Sequence, residues 1–270
     1  MQTTEAHIAE ILLHDESVRG LVLTGSRARP EIVPDEWSDL DLVLIVNDES
    51  LGVYVATTDW AMQFGDIYAF EQSSGEHFSV LRAQYTDALC IDFVIIPESS
   101  LESIDQWAQN PLRFANRCLF SRSSLLDQVL NRTYPERVPE QPSSKQFEQM
   151  ANGFWFKGML AANKAARNEL LVAAHLALDM ARDCLVLAMM IRNRATGTDH
   201  HRDGSKGNHL LEVLDPPLGE YTPSGVLDSV ERSAVVFESL AVQLDSSYRD
   251  HREPLLGHIA EVRKALLRDA

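Results

Sequence analysis

Three aspartates lie in segments predicted to be apolar strands, and their placement indicates chemistry with divalent cations. Asp39 and Asp41 open one apolar run, and Asp92 lies inside another, Leu89 to Ile96. Because side chains alternate between the faces of a strand, Asp39 and Asp41 are predicted to share one face. Two carboxylates that close repel each other, and such a pair is usually tolerated because it shares a cation. Asp92, a charge within an apolar strand, is predicted to be paired or metal-bound.

A Gly-Ser turn, Gly25-Ser26, follows a first apolar strand at Val18 to Thr24 and precedes the two aspartates. Backbone N–H groups at such a turn, where a short helix begins, suit a phosphate. Carboxylates for hard cations beside a phosphate site are the groups that nucleotidyl transfer requires. An Asp-x-Asp motif alone is weak evidence, since many surface loops contain one. The apolar strand, the turn and the distal aspartate together favour the catalytic interpretation.

This combination resembles the nucleotidyltransferase superfamily of the DNA polymerase β type, and within it the aminoglycoside 6-adenylyltransferases, the streptomycin-modifying enzymes. The segments with the strongest similarity are Gly25-Ser26-Arg27-Ala28, Pro34 to Asp41, Asp59 to Ile67 and Ile91-Asp92. Weaker similarity continues in Phe156-Lys157-Gly158, Arg167-Asn168-Glu169-Leu170 and Lys206-Gly207. The resemblance therefore covers nearly the whole chain.

The hydrophobic pattern divides the chain into two parts. Residues 1–134 contain strand-like runs and short helical segments, which predicts an α/β (α+β) nucleotidyltransferase domain with a mixed sheet. Three prolines within eight residues predict a linker over 135–142. Beyond it, residues 143–270 show no strand signal, and their apolar residues recur every three to four positions. We therefore predict an all-α helical bundle there, which the resemblance implies to be the substrate-binding domain.

The composition limits the choice of partners and compartment. A formal net charge of −16 disfavours a nucleic-acid template or an anionic membrane, since both require basic surface. The same charge is compatible with a cationic small-molecule acceptor. The chain begins without a signal-peptide pattern, and its most apolar helical segment is interrupted by charges, so we expect a cytoplasmic protein. Cys90, Cys118 and Cys184 are predicted to be small core residues in a reducing compartment.

Five residues are predicted to bind the nucleotide. Gly25 and Ser26 are assigned to the terminal phosphates, with a helix N-cap as the alternative role of Ser26. Arg27 and Arg29 are suited to bidentate phosphate contacts, or to pairing with the acidic residues that precede the second strand. The resemblance implies a phosphate-binding lysine, and Lys206 lies in a comparable polar Gly-Lys context.

The acidic residues are assigned to metal binding and proton transfer. Asp39 and Asp41 are predicted to ligate two Mg²⁺ ions, with Asp92 as the third ligand. Asp92 is also a candidate general base, because a carboxylate within reach of the acceptor hydroxyl can take its proton. The resemblance makes Glu169 the rival base. Its ordinary alternative is a solvated helix residue without a cationic partner.

The resulting hypothesis is Mg²⁺-dependent transfer of AMP from ATP to a hydroxyl of an aminoglycoside such as streptomycin, which confers antibiotic resistance. Three alternatives remain. The acceptor could be another small molecule such as a lincosamide, it could be a protein hydroxyl, or the chain could be a nucleotide-binding regulator without turnover.

Overall fold

The structure is a computed structural model that describes residues 4–30, 33, 38–107, 110–113, 115–134, 143–196 (without the side chain of residue 196), 210 and 220–268. The chain divides into two compact units, Met1–Pro135 and Glu136–Ala270. The predicted linker over 135–142 lies outside the described residues. None of the helices that are described is long and apolar enough to cross a membrane.

The first unit is built on a mixed sheet of six strands in its described part. The strands are β1 (Val18–Thr24), β2 (Leu40–Val46), β3 (Ile67–Ser74), β4 (Ser79–Tyr85), β5 (Cys90–Pro97) and β6 (Arg117–Ser121). Their order is β3-β4-β5-β2-β1-β6. The β2–β5 pair is parallel, and the other neighbouring pairs are antiparallel.

Helices cover both faces of this sheet. The α-helices are α1 (Glu5–Leu13), α2 (Leu51–Ala56) and α3 (Ser124–Leu130). Short 3-10 helices span Ser26–Ala28, Asp48–Ser50, Asp59–Phe64, Glu98–Gln106 and Pro111–Arg113. Neither α2 nor α3 is evident in the sequence, because helices of six or seven residues depend more on packing than on local pattern.

The central strands are apolar at nearly every position because both of their faces are buried. Leu42 and Leu44 of β2 point into the core that contains α1, α2 and the Asp59–Phe64 helix. Val43 and Ile45 of the same strand point into the opposite core, with α3 and the Glu98–Gln106 helix. The two cores fix the sheet from both sides, so that it can hold side chains in place at its end.

The second unit is helical in the residues that the structure describes. Its helices are α4 (Ser144–Ala166), α5 (Leu170–Thr196), α6 (Pro223–Leu244) and α7 (Arg252–Arg268). Ser143 and Gln146 form a capping box at the start of α4. Asn168, between α4 and α5, has a φ of 57°, which ends helical geometry and separates the two helices. The predicted fold class, a mixed-sheet domain followed by a helical bundle, is confirmed.

The cysteine prediction is correct for one residue of three. Cys184 is buried and its thiol donates to the Ser233 carbonyl at 3.5 Å. Cys118 is exposed and Cys90 is only partly buried. Cys118 lies on β6, an edge strand of the sheet, where an apolar sequence does not guarantee a covered face.

Gly20 tests the packing of β1 beneath α3. A Cβ at this position would lie 2.3 Å from Leu126 Cδ2 and 3.4 Å from the Phe120 carbonyl oxygen. Because Leu126 is fully buried, Gly20→Ala should lower the free energy of unfolding by about 1–3 kcal/mol. Urea unfolding followed by circular dichroism measures the change.

Gly52 of α2 is the matched control. A Cβ there meets no atom of the described structure within 4 Å. Gly52→Ala should therefore be neutral or stabilising by up to about 1 kcal/mol. Equal unfolding curves for the two variants would contradict the packing of β1 against α3.

Candidate active site

One row of residues across the sheet brings the charged side chains together. The strand register places Asp41 of β2 opposite Asp92 of β5, and Asp92 opposite Arg82 of β4. Thr24 of β1 pairs with Asp41, and Glu71 of β3 pairs with Arg82. Directly paired residues project from the same face of a sheet, so these five side chains form one row.

The row lies at the margin of the core that contains α3. Val43 and Val94, each two residues further along its strand than Asp41 and Asp92, belong to that core or pack against it. Asp41 and Asp92 are accordingly only partly buried. This position lets a carboxylate stay accessible to a ligand while the strand that carries it is fixed by apolar packing.

Three carboxylates meet at this point. Asp39, which directly precedes β2, Asp41 and Asp92 each offer one oxygen, and these three oxygens lie within 4.8 Å of one another. Like charges at this distance repel, and hard oxygen ligands are those that Mg²⁺ prefers. The residues present therefore fit a divalent cation of this type.

Gly25 makes room for the carboxylate of Asp41. Its backbone has φ 69° and ψ −151°, a conformation that is nearly restricted to glycine. A Cβ at Gly25 would lie 1.8 Å from Asp41 Oδ2. Gly25 is also the N-cap of the Ser26–Ala28 helix, so the alternative role of Ser26 as the cap does not fit.

Arg27 is bound to the backbone that leads into β2. Its Nε donates to the Asp39 carbonyl at 3.0 Å and its Nη2 to the Ser38 carbonyl at 2.8 Å. The alternative role predicted for Arg27 was an ion pair with an acidic side chain. With Asp39, Arg27 instead forms a hydrogen bond to the main-chain carbonyl. These two bonds fix the position of Asp39. Arg29 is partly buried, and Lys206 lies outside the described residues.

Arg82 is a site residue that the sequence analysis missed. Its Nε lies 3.1 Å from Asp92 Oδ2, and its Nη1 lies 3.8 Å from Glu71 Oε2. The side chain of Arg82 is 58% exposed, whereas that of Asp92 is 20% exposed. Nothing local in the sequence indicates this pair, because it depends on the register between β4 and β5.

The surroundings of Asp92 alter its protonation. Burial raises the pKa of its carboxyl above the ordinary value; Arg82 opposes this shift and the charge of Asp39 adds to it. Burial also raises the pKa of the neighbouring Cys90 thiol to about 11, with a further contribution from the charge of Asp92. Cys90 is therefore a neutral thiol at pH 7 in the metal-free protein.

Glu169 lies in the second unit, between α4 and α5, and it is held by two cations. Lys164 Nζ donates to Glu169 Oε2, and Arg167 Nε lies 3.2 Å from Glu169 Oε1. The hydrogen bond from Lys164 is the main cause of a lowered pKa of the Glu169 carboxyl. The alternative role of Glu169, a solvated helix residue without a cationic partner, is therefore wrong. It failed because these contacts form in the turn between two helices.

Comparisons with known proteins identify the family of this chain. A sequence profile of the family described as streptomycin adenylyltransferase matches residues 1–225, and the chain belongs to that family. This confirms the resemblance recognised in the sequence.

Two curated relatives are aminoglycoside 6-adenylyltransferases. The protein from Bacillus subtilis (strain 168) is 25% identical over 173 residues, which are 61% of this chain and 58% of the relative. The protein from Campylobacter jejuni is 24% identical over 192 residues, which are 63% of this chain and 60% of the relative. The chain thus spans less than two thirds of the length of either relative.

Two adenyltransferases are among the solved structures that match this chain. An aminoglycoside 6-adenyltransferase from Bacillus subtilis is 16% identical, with a TM-score of 0.44 and 97% of both chains covered. A spectinomycin adenyltransferase from Enterococcus faecialis, solved with ATP and spectinomycin, is 15% identical, with a TM-score of 0.31 and 96% of both chains covered.

Gly25→Ala tests whether the carboxylate of Asp41 needs the space that glycine leaves. The added methyl group must displace that carboxylate, so the affinity of the protein for Mn²⁺, used as a probe for Mg²⁺, should fall roughly 10- to 100-fold. Electron paramagnetic resonance of free Mn²⁺ measures the affinity, and thermal unfolding monitors the fold.

Gly65→Ala is the control for backbone strain, because Gly65 also has a positive φ, 151°, but its Cβ would contact Tyr85 rather than an aspartate. This variant should bind Mn²⁺ like the wild type. If Gly25→Ala also keeps wild-type affinity, Gly25 does not position Asp41.

Proposed function

We propose that this protein transfers AMP from ATP to a hydroxyl group of a streptomycin-like aminoglycoside, in a reaction that requires Mg²⁺. The proposal rests on one observation, the meeting of Asp39, Asp41 and Asp92 beside the Gly25-Ser26 turn. Membership of the streptomycin adenylyltransferase family supports the reaction, and the two curated relatives support the class of acceptor.

The aspartates would hold two Mg²⁺ ions, which when bound neutralise phosphate charge and lower the pKa of the acceptor hydroxyl. Asp39 and Asp41 are proposed as ligands of both ions, and Asp92 as the third ligand. Their positions are fixed by Gly25, which accommodates Asp41, and by Arg27, which holds the main chain of Asp39. A site held in this way needs little rearrangement when the substrate binds.

The nucleotide phosphates are assigned to the turn and to nearby cations. Gly25 and Ser26 are proposed to bind the terminal phosphates through backbone N–H groups and the Ser26 hydroxyl. Arg27 uses two of its five N–H donors for the backbone, so the others stay available for a phosphate. Arg29 and Lys206 are proposed as further phosphate contacts.

In the proposed reaction the acceptor oxygen attacks the α-phosphorus of ATP in line, an O–P bond forms, and pyrophosphate leaves as its bond to that phosphorus breaks. The hydroxyl proton passes to Asp92, which we favour as the general base. Asp92 belongs to the carboxylate cluster, whereas both oxygens of Glu169 already bind cationic side chains, Lys164 and Arg167.

Charge supports the choice of partners. The formal net charge of −16 and the carboxylate cluster suit a polycationic antibiotic, since acidic surface concentrates a cationic ligand near the site. The same charge disfavours nucleic acid and anionic membranes as partners. A cytoplasmic location, where ATP and Mg²⁺ are available, completes the proposal.

Adenylylation with α-labelled ATP and Mg²⁺ tests the function. Wild-type protein should transfer label to streptomycin, while Asp39→Asn and Asp41→Asn should lose at least about a thousandfold of turnover, roughly 4 kcal/mol of transition-state stabilisation. Their thermal stability should not fall, because each change relieves repulsion between carboxylates in the metal-free protein.

The acceptor panel separates the alternatives. Transfer of the label to a lincosamide, or to a protein and to no antibiotic, would show that the acceptor is not an aminoglycoside. Nucleotide binding without transfer to any acceptor would indicate a regulator. Near wild-type turnover in Asp39→Asn would contradict the assignment of Asp39 as a Mg²⁺ ligand.

Glu169→Gln separates the two candidate bases. Because Glu169 is held by Lys164 and Arg167, its amide variant should keep kcat within roughly threefold of wild type, whereas Asp92→Asn should abolish turnover. Steady-state kinetics with saturating ATP gives both values. A fall in kcat of about a hundredfold in Glu169→Gln would transfer the role of base to Glu169.

A further inference from the structure

We propose that Arg82 is a positioning residue for the reaction above: it holds one oxygen of Asp92 and so limits how strongly a bound cation can engage this carboxylate. The inference rests on the proposed function, because it assigns Asp92 to the acceptor proton. Arg82 itself lies on β4, outside every motif that supports the family resemblance.

The contact between Arg82 and Asp92 is set by the sheet. The two residues are direct cross-strand partners, so the backbone fixes the distance between their Cα atoms. The bond uses Nε, the guanidinium nitrogen nearest the main chain, at 3.1 Å from Asp92 Oδ2. Glu71 lies on the other side of Arg82, but its Oε2 is 3.8 Å from Nη1, which is too long for a hydrogen bond. Asp92 is therefore the main partner of this guanidinium.

The location of this pair makes it different from an ordinary surface ion pair. Exposed pairs contribute little to stability because water screens them. Here the partner of Arg82 is Asp92, whose side chain is only 20% exposed. One oxygen of Asp92 also lies within 4.8 Å of oxygens of Asp39 and Asp41. Arg82 is thus a cation that offsets part of the negative charge of this cluster.

Two effects of opposite sign follow. The first effect is on cation binding. Arg82 is positively charged and binds Asp92, so it repels a divalent cation at the three aspartates, competes with it for Asp92 and lowers its affinity. Towards catalysis, it fixes the orientation of the Asp92 carboxylate and keeps one oxygen from being drawn to the cation. A small displacement of a reacting group costs a large factor in rate. Removing Arg82 should therefore tighten cation binding and slow turnover.

Arg82→Gln is the test, with Arg82→Lys as the variant that keeps the charge. Mn²⁺ binding is first measured by electron paramagnetic resonance on the full chain without nucleotide. Arg82→Gln should bind Mn²⁺ roughly three- to tenfold more tightly than wild type. Its kcat with ATP, Mg²⁺ and streptomycin should fall about a hundredfold, with little change in KM for the acceptor. Arg82→Lys should keep wild-type Mn²⁺ affinity and recover part of kcat, because lysine lacks the planar fork.

Arg117→Gln is the matched control in the same unit. Arg117 is 52% exposed and its Nη2 lies 3.1 Å from Glu5 Oε1, so this variant also removes a half-exposed arginine from an ion pair. It should change neither Mn²⁺ affinity nor kcat.

The outcomes separate the role of Arg82 from the proposed function. Weaker Mn²⁺ binding together with lower kcat in Arg82→Gln would indicate a merely structural role and overturn the inference. Wild-type Mn²⁺ affinity and wild-type kcat in Arg82→Gln would overturn the inference as well. The assignment of the cation site would still stand in that case, provided that Asp39→Asn loses Mn²⁺ binding. If Asp39→Asn binds Mn²⁺ like the wild type, the cation site itself is wrong, and the proposed function falls together with the inference.

Discussion

Repulsion between the carboxylates of Asp39, Asp41 and Asp92 is the interaction that the rest of the first unit must offset. Three like charges within 4.8 Å separate unless their backbones are fixed or a cation lies between them. The sheet supplies the fixed backbones, since the strands that carry Asp41 and Asp92 are apolar and packed on both faces. Arg82 supplies part of the positive charge, and a bound divalent cation would supply the remainder.

The parallel pairing of β2 and β5 explains why the carboxylates meet at one end of the sheet. Parallel strands begin at the same edge, so residues near the start of each, Asp41 and Asp92, become neighbours. In the antiparallel pair β1–β2, the end of β1 lies at that same edge, which brings the Gly25 turn beside Asp41. A site built on strand ends is better positioned than one on free loops, because the packed cores restrict movement of its backbone.

The second unit is stabilised differently, by helices that approach closely over small side chains. Ala161 and Ala165 of α4 and Ala173 and Ala177 of α5 are fully buried in one core. The turn between these helices holds Glu169 between Lys164 and Arg167. Such a pair of cations orients a carboxylate and makes it a weaker base, which suits a structural or binding role better than proton transfer.

The sequence alone determined the features that depend on local pattern. Continuous apolar runs predicted the positions of β1, β2 and β5, and the Gly-Ser and Asp-x-Asp motifs identified the family. Contacts between distant residues required the tertiary structure. Arg82 reaches Asp92 only through the register of β4 against β5. The reason for a glycine at position 25 is also tertiary, because a Cβ at this position would collide with Asp41 Oδ2. Strand period and turn chemistry are properties of neighbouring residues, whereas register and charge pairing depend on which segments the folded chain places side by side.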